Sequence, residues 1–197
     1  MKTLLSELKT SLLLTLVLAV LLCGAYPLAV WAGGQALFAD KANGSLLVGK
    51  DGIVRGSRLL AQNFSSDKYF QPRPSAAGTG YDATSSSGTN LGPTSQKLAD
   101  SIKAAVTAYR TANGLAADAA VPADAVTSSG SGLDPHISLA NAGFQAPRVA
   151  KARGLPVAKV QDLIAAHTVG RNWGALGEPG VNVLELNFDL DRTGTRP

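Results

Sequence analysis

Two stretches carry residues whose types and spacing could do chemistry. In Thr127-Ser128-Ser129-Gly130-Ser131-Gly132-Leu133-Asp134-Pro135-His136-Ile137-Ser138, serine, aspartate and histidine crowd together. That is the raw material of a serine hydrolase with Ser129 or Ser131 as nucleophile. The spacing speaks against it. A nucleophile elbow is Gly-x-Ser-x-Gly on a strand-to-helix turn, and triad members normally come from distant segments. A tight glycine turn fits better, with Asp134 accepting from nearby backbone amides and Ser138 capping the helix that follows. In the second stretch, Gly44 to Lys50 matches the first part of a phosphate-binding P-loop. That loop needs Ser or Thr next, to hold magnesium, and then a helix. Asp51 takes the place, and Asp51-Gly52 is a hairpin turn signal between Ser45–Val48 and Ile53–Arg55.

A third stretch, Asp191-Arg192-Thr193-Gly194-Thr195, resembles the Asp-Lys-Thr-Gly-Thr phosphorylation motif of P-type ATPases. In those pumps a nucleotide domain and magnesium ligands follow. Here only Arg196 and Pro197 do, so a frayed tail is expected. His136 and His167 are the only histidines and Cys23 is the only cysteine, so no zinc site is expected. No catalytic residue is assigned; the rival from another class is a membrane-tethered periplasmic serine hydrolase.

The elements that would position these residues hang from Ser11–Ala32, an uncharged run containing eleven Leu and Val residues. About 22 helical residues cover a hydrocarbon core of roughly 30 Å. The Leu and Val residues favour insertion by about 3 to 7 kcal/mol. A cleaved signal peptide fits less well, because the apolar run is long and Trp31 sits beside the cut after Ala32. A lipoprotein signal at Cys23 needs a small residue before it, and Leu22 is not small. Lys2 and Lys9 outweigh Glu7, which predicts residues 1–10 in the cytoplasm, a span over 11–32 and residues 33–197 outside. Small and polar positions in the span, Ser11, Thr15, Ala19 and Gly24, would let a partner helix approach closely.

About 165 residues beyond the span suffice for one domain with its own core. The whole chain carries 18 Lys and Arg against 14 Asp and Glu, with no basic cluster, so nucleic acid is not an expected partner. With no disulfide framework, packing must stabilise the fold. Residues 65–94 show neither helical nor strand period; Tyr69, Phe70, Tyr81 and Leu91 predict an ordered loop pinned by side chains. Arg73, between two prolines, would form a salt bridge within the loop or touch a partner. The clearest helix is Ser95–Asn113, with Leu98, Ile102, Val106 and Tyr109 on one face and Gly114 at its end. Ala112–Ala125 reads as an exposed connection. A helix from Ser138 to Arg153 should carry Ala142, Gln145, Val149 and Ala152 on one stripe, kink at Pro147, and present Arg148, Lys151 and Arg153 as a solvated flank. Pro156 opens another helix, with Val160, Leu163, Ile164 and His167 along one side. Leu184–Leu190 alternates, which predicts a half-buried strand. The expected fold class is a single N-terminal transmembrane helix followed by one α+β extracytoplasmic domain with long ordered loops.

In their order these segments resemble the C subunit of the bacterial Kdp potassium-transporting ATPase. The matching pieces are Gly56-Ser57 to Gln62-x-Phe64, Tyr69-Phe70-x-Pro72-Arg73-Pro74-Ser75-Ala76, Ser87-Gly88-x-Asn90-Leu91-Gly92-Pro93, Ser129 to Ser138, Gln145-x-x-Arg148-Val149-Ala150-x-Ala152-Arg153, and Gly177-Glu178-Pro179-x-Val181-Asn182-Val183-Leu184-x-Leu186-Asn187. Ala61 stands where that pattern has glycine. The resemblance implies a non-catalytic subunit in the bacterial plasma membrane, needed for assembly and described as a chaperone that raises ATP affinity. Its partners would be a channel-like potassium-binding subunit, a P-type ATPase subunit that hydrolyses ATP, and the lipid bilayer. No cofactor is expected on the chain itself, although the complex uses ATP. By the same resemblance Gln145 is a candidate nucleotide contact, and Arg73, Asn90, Asp134, Arg148 and Asn182 are candidates for partner contacts. The charge rule puts Gln145 outside the cell, away from ATP, so either the orientation differs or the ATP effect is indirect.

Overall fold

The computed structural model describes residues 2–193, and these fall into two compact units, residues 2–46 and 47–193. The first unit is helical, with α1 (Lys2–Ala19), a π-helical turn (Val20–Ala25) and α2 (Tyr26–Ala42), and α2 bends sharply at Phe38, whose φ of −141° and ψ of 43° are not helical. Thr3–Ala42 is long and apolar enough to cross a membrane. Up to the bend at Phe38 the helix runs about 50 Å at about 1.5 Å per residue, more than a hydrocarbon core of roughly 30 Å, so helix continues beyond the apolar run. Past the apolar run helix covers Gly33 to Leu37, bends at Phe38 and ends at Ala42, so that the Gln35 and Asn43 side chains meet in hydrogen bonds of 3.2 and 3.3 Å.

The π turn has a cause in the sequence. Pro27 has no N–H for the carbonyl four residues back, at Cys23. The helix widens just before it, and the Tyr26 N–H reaches back five residues to the Leu21 carbonyl. Ser11, Thr15 and Ala19 follow one another at four-residue steps along α1, and Gly24 lies in the widened turn.

The second unit opens with the predicted hairpin. β1 (Leu46–Val48) pairs with β2 (Val54–Ser57), and the Gly49 and Gly52 amides close the turn on the Ile53 and Gly49 carbonyls. The chain from 58 to 95 is free of helix and strand. Then come α3 (Gln96–Asn113), the single-turn α4 (Ala123–Val126), β3 (His136–Ile137), α5 (Leu139–Arg153), α6 (Val157–Ala166), β4 (Thr168–Val169), β5 (Gly180–Asn182) and α7 (Val183–Thr193). β5 is the middle strand of an antiparallel sheet in the order β3-β5-β4.

Caps set the helix limits. Ser95 accepts from the Leu98 amide, Ser138 from the Asn141 amide, and Gly114 and Gly154 end α3 and α5 in the left-handed region. Pro147 lies inside one continuous α5 rather than dividing it. Pro156 caps α6, which buries Val160 and Ile164. The core joins α5, α6, α7 and the sheet: Ala142, Ala146, Val149 and Ala150 meet Val160, Ile164, Val181, Val183, Leu186 and Leu190. Phe70, from the long loop, is completely buried at its centre.

Two expectations need correction. The segment expected as a strand over Leu184–Leu190 is helix α7. Val183, Leu186, Asn187 and Leu190 are all buried, which is the three-to-four spacing of one helix face. Leu186 and Leu190 belong to both patterns, so alternation alone misleads. Asn182 decides the outcome: its Oδ1 accepts from the Glu185 amide at 3.1 Å and starts the helix. The expected frayed tail also begins inside α7. Asp191 accepts from the Tyr69 hydroxyl at 3.0 Å and from Arg153 at 2.8 Å. Gly194 and Thr195 of that motif lie outside the described residues.

Candidate functional site

The polar residues singled out by the sequence converge on the long loop, and they do so as its scaffold. At Phe70 and Gln71 two side-chain amides pair with successive backbone units as a neighbouring strand would. Asn187 on α7 accepts from the Phe70 amide at 2.8 Å and donates to the Phe70 carbonyl at 2.9 Å. Gln145 on α5 accepts from the Gln71 amide at 2.7 Å and donates to the Gln71 carbonyl at 3.1 Å. A buried backbone group without a partner costs about 1–3 kcal/mol, so these pairs let the loop pass through the interior without a sheet.

Gln145 is 1 % exposed, and it also donates to Asn141 Oδ1 at 2.9 Å and accepts from Arg148 at 2.8 Å. Asn141, Gln145 and Arg148 follow at steps of four and three and share one face of α5. Asn141 accepts from the Tyr109 hydroxyl at 2.9 Å and donates to Asp124 at 3.0 Å. Asp124 accepts in addition from the Ser138 amide and hydroxyl, both at 2.8 Å, and so fastens the start of α5. The connection over Ala112–Ala125, expected to be exposed filler, thus supplies an anchor. Burial first, and then the charge of Asp124, push the Tyr109 hydroxyl above the ordinary tyrosine value, so it stays a neutral donor.

Arg148 corrects the solvated-flank reading. Its side chain is only 7 % exposed and reaches the Asp67 and Tyr69 carbonyls at 2.8 and 3.1 Å and Asn113 Oδ1 at 3.0 Å, besides Gln145. Burial pulls its guanidinium below the usual arginine value, opposed by Asp67 and Tyr109. Arg153 is drawn in as well: it donates to the Lys68 carbonyl at 2.6 Å and lies over the Tyr69 ring at 4.9 Å.

A second set of contacts zips the loop to the serine-rich turn. Ser75 Oγ donates to the Gly132 carbonyl at 2.7 Å and accepts from the Tyr81 amide at 2.8 Å, and the Ser87 amide meets the Ser131 carbonyl at 3.0 Å. Gly132 has φ +69°, and a Cβ there would lie 2.6 Å from the Ser87 carbonyl oxygen, so only glycine fits. Arg73 does form a salt bridge, but beyond its own loop: it pairs with Asp134 at 3.2 Å and donates to the Ser128 carbonyl at 3.3 Å. Asp134 also accepts from the His136 amide at 3.0 Å, as the turn reading expected. The side chain of His136, then its backbone amide and Arg73, hold the Asp134 carboxyl below the usual range against the opposing effect of burial.

The two serines proposed as nucleophiles are used by the turn itself. Ser129 Oγ and Ser131 Oγ accept from the Asp134 and Leu133 amides, and among the described residues neither serine hydrogen-bonds to a histidine. His167 closes α6 and meets Asp189 at 3.0 Å. Asn182, besides capping α7, donates to the Arg58 carbonyl at 2.8 Å. Asn90 alone of the candidate positions in this unit is exposed, on a left-handed turn at φ +53°. Sequence reasoning missed Asn187, Asp124 and Asn141; a buried-face spacing of polar residues, as at 141, 145 and 148, was the available signal.

Two outcomes follow. Replacing Gln145 by Ala removes the partners of Gln71 and one acceptor of a buried guanidinium, and should cost about 3 kcal/mol. Thermal unfolding of the purified full chain without nucleotide reads this, and an unchanged midpoint would contradict the structural role. For Asp134, the folded-state value is depressed, so its stabilisation is complete above the unfolded value near ~4 and is lost as pH falls through the folded one. Asp134→Asn should therefore lower stability by about 1 kcal/mol at neutral pH, given partial solvent screening. The gap to the unmodified chain should close on acidification below pH about 4, measured by urea midpoints across pH.

Comparison with known proteins gives the family. The family described as K+-transporting ATPase, c chain, matches residues 8–192. The potassium-transporting ATPase KdpC subunit of Mycobacterium tuberculosis is 55 % identical over 186 residues, 94 % of this chain and 98 % of the relative. The proteins of the same name from Koribacter versatilis and Rhodospirillum rubrum are each 52 % identical, over 95 % of this chain and over 94 % and 96 % of their own lengths. A match over nearly all of both chains, through every element that carries the loop scaffold, places this chain in the KdpC family.

Proposed function

We propose that this chain is the accessory, non-catalytic subunit of an ATP-driven potassium uptake complex, tied to the bacterial plasma membrane by its N-terminal helix. Companion subunits carry the chemistry: a channel-like subunit binds potassium, and a P-type subunit hydrolyses ATP through an aspartyl-phosphate. The single observation that carries the reading is how the family-matching polar residues are used. Gln145, Arg148, Arg73, Asp134 and Asn182 all spend their hydrogen bonds inside the domain, on loops and helix starts. Such a domain offers shape to a partner rather than a reaction centre.

On this reading the role in assembly, and any rise in ATP affinity, act through contact with the companion subunits. A direct nucleotide contact from Gln145 would require it to leave Gln71, Asn141 and Arg148 together. The charge bias of the N-terminal tail supports a cytoplasmic N-terminus and an outer domain. Labelling tests this. In a Cys23→Ala background, Ala117→Cys, which is exposed at the surface of the second unit, should react with a membrane-impermeant maleimide added to spheroplasts of cells making the complex. Reaction only after the membrane is opened would place the domain in the cytoplasm.

A further inference from the structure

The segment between β4 and β5 ends in a hairpin tip whose side chains do nothing for the domain. Asn172 and Leu176 bridge in antiparallel fashion, their amides and carbonyls exchanging bonds of 2.9 and 3.0 Å. The Gly174 and Ala175 amides close on the Arg171 and Asn172 carbonyls at 3.1 and 3.2 Å. The backbone of the tip is therefore fixed. At its apex Trp173 is 93 % exposed, the most exposed large apolar side chain among the described residues. Leu176 is 57 % exposed.

The apex conformation adds a second observation. Trp173 and Gly174 have φ +53° and +75° in succession. Turns with two left-handed residues favour Asn, Asp or Gly at the first of them. A bulky aromatic there is a conformational outlier that local sterics oppose. The turn would be easier to make with Asn or Gly, so the indole is unexplained by folding. A rigid, preorganised tryptophan loses little freedom on binding, and tryptophan is enriched among the anchor residues of protein interfaces.

Charge distinguishes the possible occupants. The one cation of the tip, Arg171, is paired with Glu178, both carboxylate oxygens lying 3.1 Å from the same guanidinium nitrogen. The segment from Val169 to Glu178 is thus neutral. A tip meant for an anionic lipid surface would keep its cation unpaired. A neutral tip crowned by Trp and Leu complements an uncharged apolar pocket on a protein.

We propose that Trp173 is an anchor residue that inserts into an apolar pocket on the extramembrane surface of a companion subunit. This rests on the reading that the chain is one subunit of a larger complex. The test uses the full complex purified in mild detergent. Trp173→Asn suits the left-handed turn, so the unfolding midpoint of the purified chain should stay level or rise. Recovery of companion subunits should fall at least tenfold. A photoreactive benzoylphenylalanine in place of Trp173 should form an adduct with a companion subunit, whereas the same group in place of Ala117 should not. If the unmodified chain brings no companion subunits with it, the subunit reading fails and this proposal with it. If it does, but Trp173→Asn recovers them equally and position 173 yields adducts with lipid alone or none, only the anchor is overturned.

Discussion

Two side-chain amides standing in for a β-strand are the constraint on which the second unit depends. Phe70 is the largest fully buried side chain, and it arrives on a segment with no helix or strand of its own. Burying that ring means burying the peptide groups beside it. Asn187 and Gln145 satisfy both groups of Phe70 and Gln71 from opposite helices, α7 and α5. Each presents an N–H donor and a carbonyl acceptor side by side on a planar amide, the geometry a peptide needs. Aspartate or glutamate would supply only acceptors and leave the carbonyls unpaired.

The remaining polar interior keeps these amides in place. Arg148 and Asn141 use the other valences of Gln145, Tyr109 and Asp124 hold Asn141, and Asp124 also secures the start of α5. A network with every member satisfied is rigid, and loss of one member leaves others buried without partners. The apolar core complements this arrangement. Ala142, Ala146 and Ala150 make one face of α5 narrow, so α6 and the sheet approach closely around Phe70. Arg153 and the hydroxyl of Tyr69 then both meet Asp191 on α7, so loop, α5 and α7 are joined at the surface as well as inside.

Local features were legible from the sequence because their causes are local. Ser138 as a cap, Gly114 as a stop and Asp51-Gly52 as a turn all act within about five residues. The ordered character of the long loop was legible too, from Phe70 and the tyrosines. Its partners were not, because Gln145 and Asn187 lie 74 and 117 residues away along the chain. A glutamine or arginine on a helix reads as solvated unless something distant covers it, which is why Arg148 and Arg153 looked like a flank. The Leu184–Leu190 segment failed for another reason. Its apolar residues satisfy a period of two and a helical stripe at once, and the Asn182 cap broke the tie.

These features describe a domain whose polar side chains are spent on holding its own shape, with the neutral, tryptophan-capped tip left over. Amide hydrogen exchange on the full-length chain tests the central claim most directly. The account predicts that the Phe70 and Gln71 amides exchange as slowly as those of Val149 and Ala150 in α5, although they belong to a loop. Exchange of Phe70 and Gln71 as fast as that of exposed Thr89 would contradict it.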